Sequence, residues 1–568
     1  MQQSREAIKS EVEQGPTRPV VWSIAGNDSG GGAGLAADLR AAEAIGVHLC
    51  PVVAVITAQN SVGVTRVEPV APELLEAQLA TLAIDLPPAA VKTGLLGSAE
   101  NVAIVARWID RLRERAPVAL VVDPVLGAST GAAFAGDAVL RAYLDFLLPR
   151  ATLITPNERE ARRLLGALAS ASGAAELACE AAPPALARAL RAEGAQAVAV
   201  TGGDSAGAPG WSLDWIDTPQ AQGWLALPRI DTPHTHGTGC TFASSAASAL
   251  ARGFVVADAL VLAKMATADA LRRGYPAGQG AGPVAVRTGF ATDAALMPWL
   301  SWHEDFDFDS CSLNADAGQA LIASPSADLG VYAIVDSAER VAQVVQAGVK
   351  TVQLRIKTPE APPAPDRAWH AALRQALAQA LAACRPAGAT LVVNDHWRLA
   401  AAFAAELKPH AANPGAPALA VHLGQEDLLA LGADGRAELA ASGLPLGIST
   451  HSLWELARAR SLRPWYVACG PVWPTLTKAM PWVPQGLDNL AWWVHMAGVP
   501  VVAIGGILAP GQCAQAAQSG AAAVCVVRGL GDDPAQTLPR WQAALAAGRA
   551  APRLPLPAWP HPSLAPGH

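Results

Sequence analysis

The sequence predicts an α/β protein in two parts, a domain built on a largely parallel sheet followed by a closed (β/α)8 TIM barrel. Three observations carry this reading. Short apolar runs alternate with Ala/Leu/Arg-rich helical stretches almost from end to end, the pattern of parallel strands joined by crossover helices. The alternation breaks once, between Trp299 and Leu329, where an acidic run around Glu304, Asp305, Asp307 and Asp309 gives way to turn-forming residues. Beyond the break eight strand-like runs can be counted, and eight βα units suggest a barrel. The expected boundaries are 18–298 for the first domain, 299–329 for a linker and 330–548 for the barrel.

Composition narrows the class. With 51% hydrophobic and 16% charged residues among 568, the chain is not a disordered one. Apolar runs such as Pro51 to Ala58 and Pro117 to Leu126 fall short of the ~18–20 residues that span a bilayer. The stretch Met1 to Pro19 has no apolar core of the kind a secretory signal carries. Eight cysteines without a C-x-x-C pair make neither a disulfide framework nor a zinc ribbon. A pI of about 6.0 argues against a nucleic-acid partner. The expectation is a cytoplasmic protein without membrane or nucleic-acid partners and with a homo-oligomer left open. The Pro-rich tail after Gly548 is expected to fray.

In the first domain, the strand from Val20 runs into Ala25-Gly26-Asn27-Asp28-Ser29-Gly30-Gly31-Gly32-Ala33-Gly34 and then a helix carrying Asp38. Such a strand, glycine turn and helix can bring backbone N–H groups close to a ligand. A second segment, His236-Gly237-Thr238-Gly239-Cys240-Thr241, precedes a helical run from Phe242 to Arg252. Gly237 and Gly239 let successive N–H groups converge on a phosphoryl group in transfer. Cys240 falls at the helix start, where a thiol's pKa tends to be lowered, and a small buried cysteine is the plain alternative.

These residues, with ITAQN (56–60), VKTGLLG (91–97), DPVL (123–126) and LITPNEREA (153–161), resemble the hydroxymethylpyrimidine/phosphomethylpyrimidine kinases of thiamine biosynthesis. That resemblance covers about residues 18–290 and implies a ribokinase-like, doubly wound α/β fold using ATP and Mg²⁺. It implies that Asp38 and Gln59, with Gly26, hold the aminopyrimidine. Gly237, Gly239 and Cys240 would stabilise the transferring phosphate, and Asn157 and Glu160 would serve the Mg–ATP side. Two lysines usual in the family are missing, at Thr130 and Thr201.

In the barrel half, polar residues gather at the ends of the strand-like runs, where barrel enzymes place their chemistry. Gln353, Arg355 and Lys357 alternate along the run Thr351–Lys357 and so are expected to share one face. Three inward polar groups are unfavourable in a packed core unless they meet an anion. Asp395 and Asp427, at or after the third and fourth runs, could share a Mg²⁺ ion, with a helix cap the plain alternative for Asp427. Thr475-Leu476-Thr477-Lys478 is a hydroxyl-bearing loop with one cation, suited to phosphate. His451 is at least as well explained by anchoring its loop as by catalysis.

With VHLGQED (421–427), GIST (447–450), GPVWPTLTK (470–478) and AIGGI (503–507), this half resembles thiamine phosphate synthase over about residues 330–535. The resemblance implies that Gln353, Arg355, Lys357, Asn394 and Lys478 hold a pyrimidine diphosphate, with Ser449 on the pyrimidine and Mg²⁺ on Asp395 and Asp427. Thr475, Thr477 and Gly506 would meet the thiazole phosphate, joined by Arg528 where the family often has serine. Together the halves imply two ATP-dependent phosphorylations of the hydroxymethylpyrimidine, then condensation with the thiazole phosphate to thiamine phosphate. The rival is a pyridoxal-type kinase fused to a thiazole tautomerase-like or non-catalytic regulatory barrel. QLRIK together with Asp395 and Asp427 favours a diphosphate-handling enzyme over that rival.

Overall fold

The computed structural model describes residues 17–127, 136–172, 181–203, 209–304, 329–359, 366–406, 417–475 and 481–564. In the first domain β1 (Val20–Asp28), β2 (His48–Gln59), β3 (Val64–Pro69), β4 (Ala90–Thr93) and β5 (Ala119–Val122) are followed by β6 (Leu153–Ile154), β7 (Val198–Thr201), β8 (Trp211–Asp217), β9 (Gln222–Pro228) and β10 (Trp299–Leu300). They form one sheet in the order β10-β9-β8-β7-β6-β5-β4-β1-β2-β3. Its centre, from β7 to β2, is parallel, while β3 and the group β8 to β10 pair antiparallel at the edges. Alternate residues enter two apolar clusters, Val21 and Val121 on one face, Trp22 and Val122 on the other. Burial on both faces explains why these strands read as continuous apolar runs.

The stretch expected as linker opens inside this sheet. Trp299 and Leu300 pair with Ala226 and Leu225 of β9, and Trp302 is buried. A two-residue strand beside an acidic run leaves no periodicity to detect. Residues 305–328 lie outside the described residues.

The eight expected runs become eight strands: β11 (Gly330–Val335), β12 (Thr351–Leu354), β13 (Thr390–Asn394), β14 (Leu419–Leu423), β15 (Leu446–Thr450), β16 (Tyr466–Cys469), β17 (Val501–Ala503) and β18 (Ala523–Val526). Each is parallel to the next and β18 returns to β11, which closes the barrel. The expected alternation of Gln353, Arg355 and Lys357 along one strand does not hold. The strand ends at Leu354, and the Arg355 N–H bond to the Val335 carbonyl (2.8 Å) lies just past its end. Arg355 and Lys357 belong to the loop beyond the strand, from which the charge of Arg355 still acts on Asp395 and His422.

As far as Leu564 the C-terminal tail does not fray. After the helix Pro534–Ala550, residues 551–564 pack along the seam between the domains. Trp559 meets Phe290 edge-on at 5.1 Å between ring centroids, and the Arg252 guanidinium lies 4.8 Å from its ring. Prolines lower the entropy lost on ordering such a segment, and Trp559 supplies apolar area to bury.

Candidate active sites

One carboxylate organises the glycine turn after β1. Asp28 accepts the N–H groups of Gly30 (2.8 Å), Gly32 (3.0 Å) and Ala33 (2.8 Å), and its Oδ2 lies 3.0 Å from His236 Nε2. Burial alone would raise its pKa; the bonds from His236, Ala33 and Gly30 outweigh it and hold Asp28 below the ordinary carboxylate range. Gln59, the last residue of β2, reaches the same place, with Nε2 3.4 Å from His236 Nε2. Gly237 adopts φ 88°, and a Cβ there would overlap the Gly32 carbonyl, so only glycine lets the two loops touch. Gly26 lies beneath them, its carbonyl against Gly34. Gly239 and Cys240 lie in the first turn of the helix Thr238–Ala251, and Gln59 and Gly237 converge with Asp28 and His236. The last two stood in plain sight within the quoted motifs but had drawn no role.

Asp38 is not part of that surface. It is fully buried, accepting from Ser23 Oγ (2.6 Å), Ser244 Oγ (2.7 Å) and the Lys92 ammonium (3.2 Å). The expected contact with aminopyrimidine fails because the carboxylate is already satisfied inside the fold. Lys92, also fully buried, lies 3.4 Å from Asp123. Burial opposes its charge, but Asp38, Cys240 and Asp123 outweigh that and raise its pKa. Cys240 departs from expectation as well. Desolvation pushes its thiol up to about 12; Lys92 pulls against this, while Asp38 and Asp123 add to it. The field at a helix start is weaker than the loss of water, so the thiol stays protonated at neutral pH.

Asn157 and Glu160 form a reciprocal cap on the helix Glu158–Ser172. Asn157 Oδ1 accepts the Glu160 N–H (2.9 Å), and Glu160 Oε2 accepts the Asn157 N–H (3.0 Å). Burial first, then the charge of Asp123, lifts Glu160 to about 7. Asp123 is itself raised by burial, and its Oδ2 has no hydrogen-bond partner other than the ammonium of Lys92 at 3.4 Å. Two desolvated carboxylates with an unsatisfied oxygen fit a divalent cation bound alongside phosphates. Beside Thr201, the buried Lys264 reaches Asp214 (2.7 Å), whose other oxygen accepts the Gly202 N–H (3.1 Å). That cation is already neutralised. Thr130 lies outside the described residues.

In the barrel, a chain of hydrogen bonds crosses the mouth from β13 to β15. Gln353 Nε2 donates to Asn394 Oδ1 (2.6 Å), and Tyr332 donates to Gln353 Oε1 (3.1 Å). The Tyr332 and Tyr466 hydroxyls are 2.8 Å apart, Tyr466 lies 2.9 Å from His422 Nδ1, and His422 Nε2 lies 2.9 Å from Ser449 Oγ. The first donor sets all the rest. Since Tyr332 gives its proton to Gln353, Tyr466 donates to Tyr332, His422 Nδ1 donates to Tyr466, and Ser449 donates to His422. Burial lowers the His422 pKa to about 4, so the ring is neutral, as this direction requires. Ser449, partly exposed, is left with lone pairs that the chain does not use. Gly447 makes the crossing feasible, since a Cβ there would overlap the Tyr466 ring. Gln353, Asn394 and Ser449 are thus brought together as expected. Tyr332, His422 and Tyr466 were missed, although each is a polar group set in an apolar run.

Asp395 follows β13 with φ 65°, in the left-handed region that L residues seldom hold and Asp tolerates better than most. Its pKa is raised first by loss of water and then by the charge of Asp427. Asp427 also caps its own helix, Oδ2 accepting the Gly424 N–H at 2.9 Å. Among the described residues no cluster of three or more His, Cys, Asp or Glu could hold a metal. A facing pair of carboxylates is still an all-oxygen donor set that suits Mg²⁺ with substrate phosphates. The Gly505–Gly506 turn interlocks with the loop after β16, the Trp473 N–H donating to the Gly505 carbonyl (3.1 Å), while Arg528 is exposed past β18. Thr475 borders this loop; Thr477 and Lys478 lie outside the described residues. His451 anchors its loop, Nδ1 lying 2.9 Å from Glu455.

The sequence matches the phosphomethylpyrimidine kinase family over residues 28–285 and the thiamine monophosphate synthase family over 329–530. It is 41% identical over 267 residues to the hydroxymethylpyrimidine/phosphomethylpyrimidine kinase of Synechococcus elongatus, covering 47% of this chain and 96% of that one. Among solved structures, the pyridoxal kinase from Staphylococcus aureus in complex with ADP is similar over 47% of this chain and 93% of its own, at 29% identity and a TM-score of 0.42. Over 502 residues the chain is 31% identical to a chloroplastic thiamine biosynthetic bifunctional enzyme of Arabidopsis thaliana, covering 86% of this chain and 85% of that protein. No helix among the described residues is long and apolar enough to cross a membrane. The chain belongs to the bifunctional thiamine biosynthetic enzymes, a hydroxymethylpyrimidine and phosphomethylpyrimidine kinase joined to a thiamine phosphate synthase.

Proposed function

We propose the following division of labour within the two activities. In the kinase, Gln59 holds the aminopyrimidine beside the Asp28–His236 pair. The backbone N–H groups around Gly237, Gly239 and Cys240 receive the phosphoryl group as it leaves ATP. Asp38 and Lys92 work from below: with Asp123 they set the electrostatics under Cys240. Asp123, Glu160 and Asn157 would hold Mg–ATP, and Mg²⁺ when bound neutralises charge on the phosphates. The protein's own work is positioning, first on the hydroxymethyl group and then on its monophosphate.

In the synthase, Ser449 accepts from the 4-amino group of the pyrimidine. Asn394 Nδ2, Arg355, Lys357 and Lys478 hold the diphosphate. Asp395 and Asp427 would hold Mg²⁺, which when bound offsets the charge that builds on departing pyrophosphate. The C–O bond to the diphosphate breaks, and the thiazole nitrogen forms the new C–N bond to the same carbon. Thr475, Thr477, Gly506 and Arg528 keep the thiazole phosphate in line. A cytoplasmic location is part of the same proposal.

The observation that carries the synthase half is the one-way hydrogen-bond chain that ends with Ser449 donating to His422, which leaves its lone pairs free to accept. The test is Ser449→Ala in the intact chain, supplied with hydroxymethylpyrimidine, Mg–ATP and thiazole phosphate. Pyrimidine diphosphate is expected to accumulate in place of thiamine phosphate. Unchanged thiamine phosphate production refutes the assignment.

A further inference from the structure

We propose that the kinase domain holds part of the synthase site in shape. Asp258 of the kinase and the C-terminal strap 551–564 both anchor the segment 450–454 that follows Ser449. The inference rests on the placement of Ser449 at the pyrimidine.

The helix Leu453–Arg460 starts four residues beyond Ser449. Its first N–H groups have no acceptors inside the helix. Ser452 Oγ takes the Glu455 N–H (3.4 Å), but the Trp454 N–H goes to the other domain, to Asp258 Oδ1 at 3.0 Å. Asp258 is 1% exposed, on the kinase helix Val256–Arg272. The far end of the same barrel helix is tied to the kinase too. Arg458 donates to the Gln222 carbonyl (3.2 Å), Arg460 to the Met297 carbonyl (2.7 Å), and Ser461 Oγ receives the Trp302 N–H (2.9 Å). A barrel helix whose first turn is capped partly from within, by Ser452, and partly by a residue of a different domain has that turn, and the strand end leading into it, fixed more firmly while the domains stay docked.

A second route reaches the same segment from the opposite side. The kinase grips the strap at Trp559 through Phe290 and Arg252. Two residues on, the His561 N–H donates to Asn489 Oδ1 (2.8 Å), and its Nε2 donates to the Gln485 carbonyl (2.8 Å). The Ser563 carbonyl receives the Val483 N–H at 2.8 Å. Gln485 is fully buried, and its Nε2 donates to the His451 carbonyl (2.7 Å). Trp482, beside Val483, stacks on the His451 ring with centroids 5.0 Å apart. His451 is therefore held by the strap and Trp454 by Asp258, and the two lie on either side of the helix start. Asp258, Trp559 and His561 are positioning residues for a reaction none of them touches.

The test uses the full chain carrying Asp258→Ala, Asp258→Asn, His561→Ala or Ser449→Ala. Kinase turnover, synthase kcat and KM for the pyrimidine diphosphate, and thermal unfolding are measured on each. Asp258→Ala and His561→Ala are expected to lower synthase kcat/KM by about tenfold to a hundredfold, mostly through KM, as small misplacements do. Kinase turnover is expected to stay within about twofold of wild type. Asp258→Asn keeps an acceptor oxygen and is expected to restore most of the loss. His561 is half-buried at the seam, so its alanine variant tests the strap without opening an apolar core. Wild-type synthase kinetics in Asp258→Ala and His561→Ala, with Ser449→Ala impaired, overturn the coupling alone. Equal losses in both activities also overturn it, since they mark general destabilisation. A silent Ser449→Ala overturns the placement of Ser449 and the coupling with it.

Discussion

Replacing Tyr466 by phenylalanine removes one oxygen from the middle of the barrel's hydrogen-bond chain and almost nothing else. That hydroxyl is fully buried and sits between Tyr332 (2.8 Å) and His422 Nδ1 (2.9 Å). Without it the His422 Nδ1–H has no acceptor, and an unsatisfied buried donor costs about 1–3 kcal/mol. The ring can escape by moving its proton to Nε2, but it then donates to Ser449 instead of accepting from it. The Ser449 hydroxyl hydrogen is driven toward the pyrimidine, where it opposes the N–H of the substrate amine. Losing one well-made hydrogen bond of about 1.5–2 kcal/mol corresponds to about tenfold to thirtyfold in kcat/KM. The assay is synthase kcat/KM for the pyrimidine diphosphate, with kinase turnover of the same sample as control and thermal unfolding alongside. Kinase turnover is expected to be unchanged. A phenylalanine variant with wild-type synthase kcat/KM would refute the chain's direction and the role derived from it.

Other outcomes follow from the same geometry. Cys240→Ala is expected to lower kinase turnover by about 10²–10³ with the synthase intact, as loss of one oriented donor does. Because the Cys240 thiol is pushed up to about 12, its titration should leave no inflection in the kinase pH profile between about 6 and 9. An inflection there that disappears in the alanine variant shows a thiolate instead. Asp427→Asn should retain its helix cap, with a stability change of about 1 kcal/mol or less, yet lose synthase activity as Asp395→Asn does. Wild-type turnover and Mg²⁺ dependence in Asp427→Asn leave the cap as its whole role. His422 titrates near 6.5 when unfolded and at about 4 when folded, so acid protonates the unfolded chain first. Its contribution is complete above 6.5 and declines as pH falls through about 4, by about 3 kcal/mol in all. In urea titrations of His422→Asn, a slope of stability against pH across that window equal to wild type counts against it.

Much of this was legible in one dimension. Eight apolar runs with polar ends specify a barrel because each buried parallel strand needs apolar residues on both faces and leaves its polar ones at the open rim. Gln353, Asn394 and Ser449 could be picked out for that reason. Glycine spacing likewise marked the turn at Gly30 to Gly34 and the helix start at Gly237 to Cys240, since tight backbone approaches leave no alternative residue. What failed were statements about surroundings. Asp38 was expected at the ligand on the family resemblance alone; only packing shows that Ser23, Ser244 and Lys92 have consumed it. Cys240 read as acidic because helix starts are local, while the desolvation that raises it comes from residues far away in sequence.

The tail past Gly548 and the residues around Trp302 looked like a frayed end and a linker because neither has a period of its own. Their order comes from Phe290, Arg252, Asn489 and Ser461, partners set by how the two domains meet. The sequence by itself determined the elements, the order of the two catalytic halves and which loops could approach a phosphate, because strand burial and backbone sterics act over a few residues. Only the tertiary structure decided which polar groups stay exposed at the site, which are spent inside the fold, and that Asp258 of one domain caps a helix of the other. Desolvation and hydrogen-bond satisfaction depend on every neighbour at once, and those neighbours come from all along the chain.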